Sequence, residues 1–259
     1  MTLPPIFSPE YYAYWREFEA RHWWTAGMRD VAAMLFERVE LAADGVMLDV
    51  GCGSGQGMHW FAGIHPRWRT AGIDPGMDGL RAAAQSGQPA VVLGTATALP
   101  FGDATADVVI TLDVLQHLPL GGGDRTAFAE MHRVLRRGGY LFIRTNVQSY
   151  PRVPDDADAV WHKYDPDELE MKLASAGFSI VRLSRVNAVL GLAEIAGEVR
   201  RAGARRRHSS YDVVSVPLKK SNSLTSAIKR GVLRLEGRAV RAGVRLPVGR
   251  SLVALCRRD

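Results

Sequence analysis

Residues 47–57, MLDVGCGSGQG, set four glycines at alternate positions directly behind a short apolar run. The run GVMLDVG is too brief for a helix and is ended by glycine, so it reads as a buried strand. A strand followed by glycines and then a helix brings backbone against a nucleotide in many folds. Spacing then selects among nucleotides. A dinucleotide fingerprint needs GxGxxG, whose third glycine lets the helix pack near the strand. With Gly51, Gly53, Gly55 and Gly57 in place, Gln56 and Met58 leave no register that gives it. A phosphate loop needs a lysine after its last glycine, and none follows. What remains is an acid at the strand end, Asp49, then GxGxG, then a second acid, Asp74, closing the next strand in AGIDPG. A carboxylate at that second place can accept both hydroxyls of a ribose, so the pair points to a nucleoside without pyrophosphate. The plainer reading makes Gly51 to Gly57 a tight turn and Asp74 an N-cap, but turn glycines alone do not require an acid one strand later.

Outward from this loop the pattern repeats. GMHWFAGI reads as helix, WRTAGID as strand, GMDGLRAAAQ as helix, AVVLG and ADVVITLD as strands, DRTAFAEMHRVLRR as helix and GYLFIRTN as strand. Short apolar strands alternating with helices imply a parallel sheet covered on both faces. Upstream, YYAYWREFEARHWW and MRDVAAMLFERVELA carry helical apolar spacing, the second through Val31, Met34, Leu35 and Val39. After Asn146, QSYPRVPDDADAVWHKYDPDE is rich in Pro and Asp and reads as a long loop. DPDELEMKLASAG follows as a helix with Asp165 as N-cap, Pro166 first and Gly177 as its stop. FSIVRLSRVN is a strand, residues 188–245 read as helical with a Ser/Pro-containing break, and SLVALCRR is a last strand.

At 259 residues and 47% hydrophobic, the chain can bury a full α/β core, which excludes fibrous and disordered classes. The first residues have neither a basic n-region nor an apolar h-region, so they do not read as a secretory signal. No stretch reaches the length of a membrane span. Two cysteines, Cys52 and Cys256, are too few for a disulfide framework or a metal cluster and suit a reducing cytoplasm. The net charge of +6 conceals an asymmetry: residues 200–259 hold 16 Lys/Arg against Asp212, Glu236 and Asp259, a net of +13 that leaves −7 for residues 1–199. The basic end therefore needs its own explanation.

LDVGCGSG, GIDPG, GTATALPFGDATADVVITLDVLQHLP and EMHRVLRRGGYLFI, in this order and at this spacing, resemble the successive motifs of class I S-adenosylmethionine-dependent methyltransferases. The likeness covers about residues 20–187 and is greatest to the small-molecule type that includes ubiquinone and menaquinone methyltransferases. It implies an α/β, Rossmann-like fold: a seven-stranded, mostly parallel sheet with an antiparallel last strand, N-terminal helices (1–44), a core (45–187), a basic helical insertion (188–250) and a final strand (251–259). It also implies S-adenosylmethionine as cofactor and S-adenosylhomocysteine as product. Gly51, Gly53 and Gly55 would let backbone approach the methionyl and adenosyl parts, with Asp49 near the methionyl ammonium. Asp74 would bind the ribose diol, and Pro75 with Gly76 would pack beside the adenine. Where the family commonly offers an Asp to the adenine amino group, this chain has Thr95, leaving the Thr95 hydroxyl and the Ala96 backbone. Asp113 would face the cofactor near its methionyl end.

Methyl transfer from a sulfonium is an in-line displacement, so the enzyme mainly aligns the acceptor and sets its protonation state. His117, just past the fourth strand, is a candidate base, because imidazole titrates in the useful range. A local, loop-shaping histidine is the equal alternative. His162 and Tyr164, in VWHKYDPDE, are further base or orienting candidates, with Arg144 and Asn146 as polar lining; a packing role for each is the competing reading. An ExxEH metal set seen in some quinone O-methyltransferases is reduced here to Asp113, Gln116 and His117, so no metal is expected. The aromatic YYAYWREFEARHWW either lids an acceptor pocket or packs Trp15, Trp23 and Trp24 on the core.

Leu224, Ile228, Val232, Leu235, Ala239 and Ala242 recur at steps of three and four among Lys229, Arg230, Arg234, Arg238 and Arg241, which makes a basic amphipathic helix. It reads as the outer face of a packed helix, as an interfacial helix at an anionic membrane over 224–245, or, last, as a nucleic-acid footprint. A homodimer contact through the insertion is also open. The expectation is a cytoplasmic methyltransferase, peripheral at the inner membrane surface in the second of these readings, acting on a small or lipid-like acceptor by O-methylation. N- or C-methylation, RNA methylation, or a cofactor-binding protein without transfer, such as a cyclase or regulatory subunit, are the alternatives, and the missing fingerprint glycine disfavours an NAD-dependent oxidoreductase.

Overall fold

Strand residues in this chain alternate between two buried faces. Val108 and Ile110 join one core and Val109 the other; Phe142 opposes Leu141 and Ile143, and Val253 and Leu255 oppose Leu252, Ala254 and Cys256. With period-2 side chains apolar on both sides, such strands are stable only between two helical layers. The computed structural model describes residues 8–88, 90–119, 121–147, 162–192 and 223–259. Its strands are β1 (Val46–Val50), β2 (Arg69–Asp74), β3 (Val91–Leu93), β4 (Ala106–Leu112), β5 (Leu135–Asn146), β6 (Phe178–Val186) and β7 (Ser251–Arg258). They form one sheet of order β3-β2-β1-β4-β5-β7-β6, parallel from β3 to β5 and antiparallel on both sides of β7. The expected seven-stranded, mostly parallel sheet is thus present, with its antiparallel last strand set inside the sheet rather than at the rim.

The helices are α1 (Pro9–Arg21), α2 (Trp23–Phe36), α3 (Gln56–Ile64), α4 (Met77–Gln85), α5 (Gly123–Val134), α6 (Pro166–Ser175) and α7 (Ser223–Arg241), with a 3-10 turn at Leu115–His117. Met28, Val31, Leu35 and Phe36 of α2, Phe61 of α3 and Leu233 and Val240 of α7 fill one side of the sheet; Phe128 and Met131 of α5 and Leu169 and Leu173 of α6 fill the other. Asp165 caps α6 by accepting the Asp167 N–H, with Pro166 in its first turn, as its sequence requires.

Four expectations shift. The two N-terminal helices meet at His22, and the second runs from Trp23 to Phe36 rather than onward from Met28, because the His22 Nδ1 accepts the Trp24 N–H and caps a new helix there. Strand β5 starts at Leu135, ahead of GYLFIRTN, since Leu135 pairs with Ala106 across a register shift. The expected helix to residue 245 ends at Arg241, and Leu246 beyond it bridges Arg185 of β6. The helix α7 also packs by a different face from its apolar stripe. Leu233, Glu236, Gly237 and Val240 are buried, Gly237 lying against Val31 and Met34, while Leu224, Ile228 and Leu235 point outward. The reason is Glu236, whose carboxylate accepts the Ala188 and Val189 N–H groups at the start of the helical turn at 188–192. Arg230 and Arg234 of α7 pair with Asp30, and Arg241 with Glu37, tying that helix to α2. Most of the expected long loop (148–161) and nearly half of the basic insertion (193–222) lie outside the described residues.

Among the described residues no helix is long and apolar enough to cross a membrane, and no group of His, Cys, Asp and Glu is arranged to hold a metal.

Candidate functional site

The strands β1 and β2 end side by side, and the turn that follows β1 is stitched to β2 by backbone. The Gly51 and Cys52 N–H groups donate to the Ile73 carbonyl at 2.8 and 3.0 Å, and the Gly53 N–H to the Asp74 Oδ2 at 2.8 Å. Gly51, Gly53 and Gly55 all have positive φ, a conformation that costs L side chains roughly 1–2 kcal/mol, so the alternation of glycines is a backbone requirement. Of the four, Gly53 has the most open surroundings: a Cβ there would meet only the Tyr12 ring, at 3.9 Å.

Asp49 lies beneath this loop, 2% exposed. Its Oδ2 would be 2.3 Å from a Cβ at Gly57, and its carboxylate takes the Met58 N–H in the first turn of α3. Burial pushes this carboxyl up to about 8, with Glu19 and Asp74 adding to the rise and Arg144 and the Met58 N–H opposing it. Asp49 therefore occupies the place where a helix N-terminus would hold a phosphate.

Asp74 is 6% exposed and accepts three hydrogen bonds: besides the Gly53 N–H, it takes the Gly76 N–H and the Tyr12 hydroxyl, both on Oδ1 at 2.8 Å. Pro75 is exposed beside it, with Gly76 buried. Across β3, Thr95 is exposed and its hydroxyl bonds Thr97 at 3.0 Å, while Ala96 is buried. From α2, the Arg29 guanidinium reaches the Gln56 carbonyl at 3.3 Å, at the far end of the glycine loop.

The ends of β4 and β5 hold a different arrangement. Asp113 adopts φ 59° and is clamped by Arg144, whose Nη2 and Nε approach one carboxylate oxygen at 2.6 and 3.0 Å. Arg144 is 5% exposed and lies over the Trp24 ring at 4.8 Å. Past Asp113, His117 is half-buried; burial lowers its imidazole to about 4, against the pull of Asp113, so it is neutral at physiological pH. Gln116 ties the turn to β5 through the Thr145 hydroxyl and to the next loop through the His162 N–H.

His162 and Tyr164 are not beside the glycine loop. They line a cleft of about 360 Å³ with Leu115, Leu118, Asp124 and Lys172, between the starts of α5 and α6. Tyr164 is 1% exposed and donates to Asp124 at 3.3 Å; Lys172 bridges Asp124 and Glu168 at 2.5 and 2.8 Å, and His162 meets Glu168 at 3.2 Å. Burial and Asp124 push the phenol well above its ordinary range, so Tyr164 stays protonated and ties the segment before α6 to α5. Asn146 contributes its carbonyl to the Tyr164 N–H. The structure thus gathers Gly51, Gly53, Gly55, Asp49 and Asp74 at one edge and Asp113, Arg144 and His117 at the next, with His162 and Tyr164 in the cleft that continues from this second edge past Leu115 and Leu118. Sequence reasoning missed Tyr12 and Arg29: Arg29 announced itself only as a lone cation in an apolar helix, and nothing local marked Tyr12.

Residues 48–143 match a family model described as a methyltransferase domain. The chain is 30% identical over 154 residues to the O-methyltransferase cnsE of Penicillium expansum, covering 54% of each protein. The chain spans between 30% and 58% of the length of the curated relatives it matches. Among solved structures it superposes on phosphoethanolamine N-methyltransferase 2 of Haemonchus contortus, determined in complex with S-adenosylmethionine, with a TM-score of 0.57 at 16% identity, covering 88% of this chain and 52% of that one. It also superposes on the [4+2]-cyclase SpnF, with a TM-score of 0.57 at 19% identity, covering 91% and 83%.

Proposed function

Because residues 48–143 match a methyltransferase-domain model, we propose that the protein transfers a methyl group from S-adenosylmethionine to a hydroxyl of a small or lipid-like acceptor. One observation carries the choice of cofactor. Asp49 already occupies the Met58 N–H in the first turn of α3, one that a pyrophosphate would use, while Asp74 closes the neighbouring strand, which favours a nucleoside over a dinucleotide at this edge. The residues present fit the group: a positive-φ loop with open surroundings at Gly53, a carboxylate for the ribose, and Arg29 as the cation for an amino-acid carboxylate.

The bound cofactor supplies an electrophilic methyl group on sulfonium. The protein aligns and handles the proton. His117 stands unprotonated past the end of β4 and takes the acceptor's hydroxyl proton as the new carbon–oxygen bond forms. An imidazole lowered to about 4 is a weak base, so it takes the proton only as the bond forms and the hydroxyl becomes acidic. Release of S-adenosylhomocysteine with a panel of hydroxyl and amine acceptors tests this. The His117→Ala variant should lose about 100-fold in turnover while binding S-adenosylhomocysteine as before; undiminished turnover removes the base, and binding without any turnover leaves a cofactor-binding protein.

We also propose that the outward face of α7 rests on an anionic membrane surface. Leu224, Ile228 and Leu235 are 67, 61 and 62% exposed in one stripe, bordered by Arg234, Arg238 and Arg241, on a segment with 16 cations to three acids. Sedimentation with phosphatidylglycerol vesicles at low salt should carry the protein down, and Ile228→Glu with Leu235→Glu should abolish this. A dimer that ignores vesicles, or a stripe whose loss changes only stability, would assign the face to a second copy or to the chain itself.

A further inference from the structure

Tyr12 sits where the proposed cofactor's ribose would dock. Its ring is wedged between the two turns that define the slot: a Cβ at Gly76 would fall 1.8 Å from its hydroxyl, one at Gly79 2.5 Å from its Cε1, and one at Gly53 3.9 Å from the same carbon. The residue is 5% exposed, although it comes from α1, outside the sheet's own connections. An ionised carboxylate offers about four lone-pair sites. On Asp74 three are taken, by the Gly53 N–H, the Gly76 N–H and the Tyr12 hydroxyl. Two ribose hydroxyls cannot both be accepted while the phenol stays.

The helix that carries Tyr12 is built to move as a unit. Of its 13 residues only Tyr12 and Phe18 are buried. Its chain link to α2 is the single residue His22, an extended residue (φ −81°, ψ 133°) that ends one helix and caps the next, and it touches α2 through Phe18 beside Trp24 and Glu19 towards Arg29. The His22 ring stacks on Phe18 at 4.3 Å, which holds the joint in its present angle. Burial and the Asp74 carboxylate keep the Tyr12 phenol protonated, so it remains a donor at any working pH.

We propose that α1 is a latch, in which Tyr12 stands in for a ribose hydroxyl on Asp74 and must withdraw, by rotation of α1 about His22, before the nucleoside can enter. This rests on the cofactor reading above. The apparent affinity for the nucleoside is then reduced by the fraction of molecules with the latch closed, and the latch stabilises the empty glycine loop by satisfying a carboxylate that would otherwise be buried with an unused site.

The test is calorimetric titration of the full chain with S-adenosylhomocysteine, beside hydrogen exchange of the same samples. Tyr12→Phe removes the competing hydroxyl and keeps the ring; Tyr12→Ala opens the slot. Tyr12→Phe should bind about 10- to 100-fold tighter than wild type, a hydrogen bond to a charged group being the contact released, and Tyr12→Ala at least as tightly. In wild type, added S-adenosylhomocysteine should protect the amides of the glycine loop while raising exchange across residues 9–21. Weaker or unchanged binding by both variants would make Tyr12 a ligand or a bystander and overturn the latch, as would protection of α1 on binding. If wild type does not bind and Tyr12→Ala does, the latch is supported in its strongest form. If neither binds and the glycine-loop amides never respond, the cofactor reading fails and the latch falls with it.

Discussion

At the ends of β1 and β2 the parts proposed to face the cofactor are backbone: a positive-φ glycine loop whose N–H groups are pinned to Ile73 and Asp74. At the ends of β4 and β5 they are long side chains held by one another, with Arg144 on Asp113 and Lys172 between Asp124 and Glu168. The first edge is set by residues within about one supersecondary unit; the second joins positions 31 to 48 residues apart. An edge made of backbone presents one shape and so suits a constant ligand. An edge made of ion pairs can be rebuilt one side chain at a time, which suits a part that differs among acceptors.

If the two edges are separable, each should respond to a different variant. Arg144→Ala leaves Asp113 without its partner, and removal of one member of a buried pair should cost about 3 kcal/mol, the low end because Asp113 is partly exposed. The melting temperature should fall by roughly 6–12 °C, at about 2–4 °C per kcal/mol, with the affinity for S-adenosylhomocysteine changed less than about tenfold. Gly53→Val should do the reverse: affinity lowered on the order of 100-fold, or about 2.7 kcal/mol, and stability lowered only by the roughly 1–2 kcal/mol of a side chain at positive φ. Matching losses in both measurements for either variant would show one coupled site instead of two.

The smallest effect probes the wall between them. The Asp49 carboxyl is pushed up to about 8 in the folded chain, so between its ordinary value and 8 the folded state binds the extra proton. Stability from this group is therefore greatest at low pH and is lost as pH rises towards 8. Against Asp49→Asn, which cannot titrate, the wild-type stability advantage should fall by at least about 1 kcal/mol between pH 5 and pH 8, one unit of pKa being about 1.4 kcal/mol. Chemical denaturation at the two pH values measures it; a pH-independent difference would mean that Asp49 is ionised throughout.

The sheet and the glycine loop were legible because their determinants are local: apolar alternation, alternate glycines, an acid at each strand end. The packing of α7 was not, because the face that wins contains Gly237, which fits Val31 and Met34 by lacking a side chain, and Glu236, whose partners are backbone N–H groups 48 and 47 residues away. A stripe of leucines predicts burial only when no such partner competes for the same side. The break at His22 carries no glycine or proline to announce it. Tyr12 and Asp74 are 62 residues apart and share no motif, so their hydrogen bond exists only in three dimensions.

The place of β7 between β5 and β6 has a consequence for how the chain is made. Its residues Leu252 to Cys256 are at most 1% exposed and complete hydrogen-bonded ladders on both sides. During synthesis β1 to β5 can align as they emerge, but β5 keeps an open edge, and β6 has no neighbour, until residues 251–258 have left the ribosome. The interval in which residues 147–250 are translated, α7 (Ser223–Arg241) among them, is then the time during which that edge is exposed to other nascent chains.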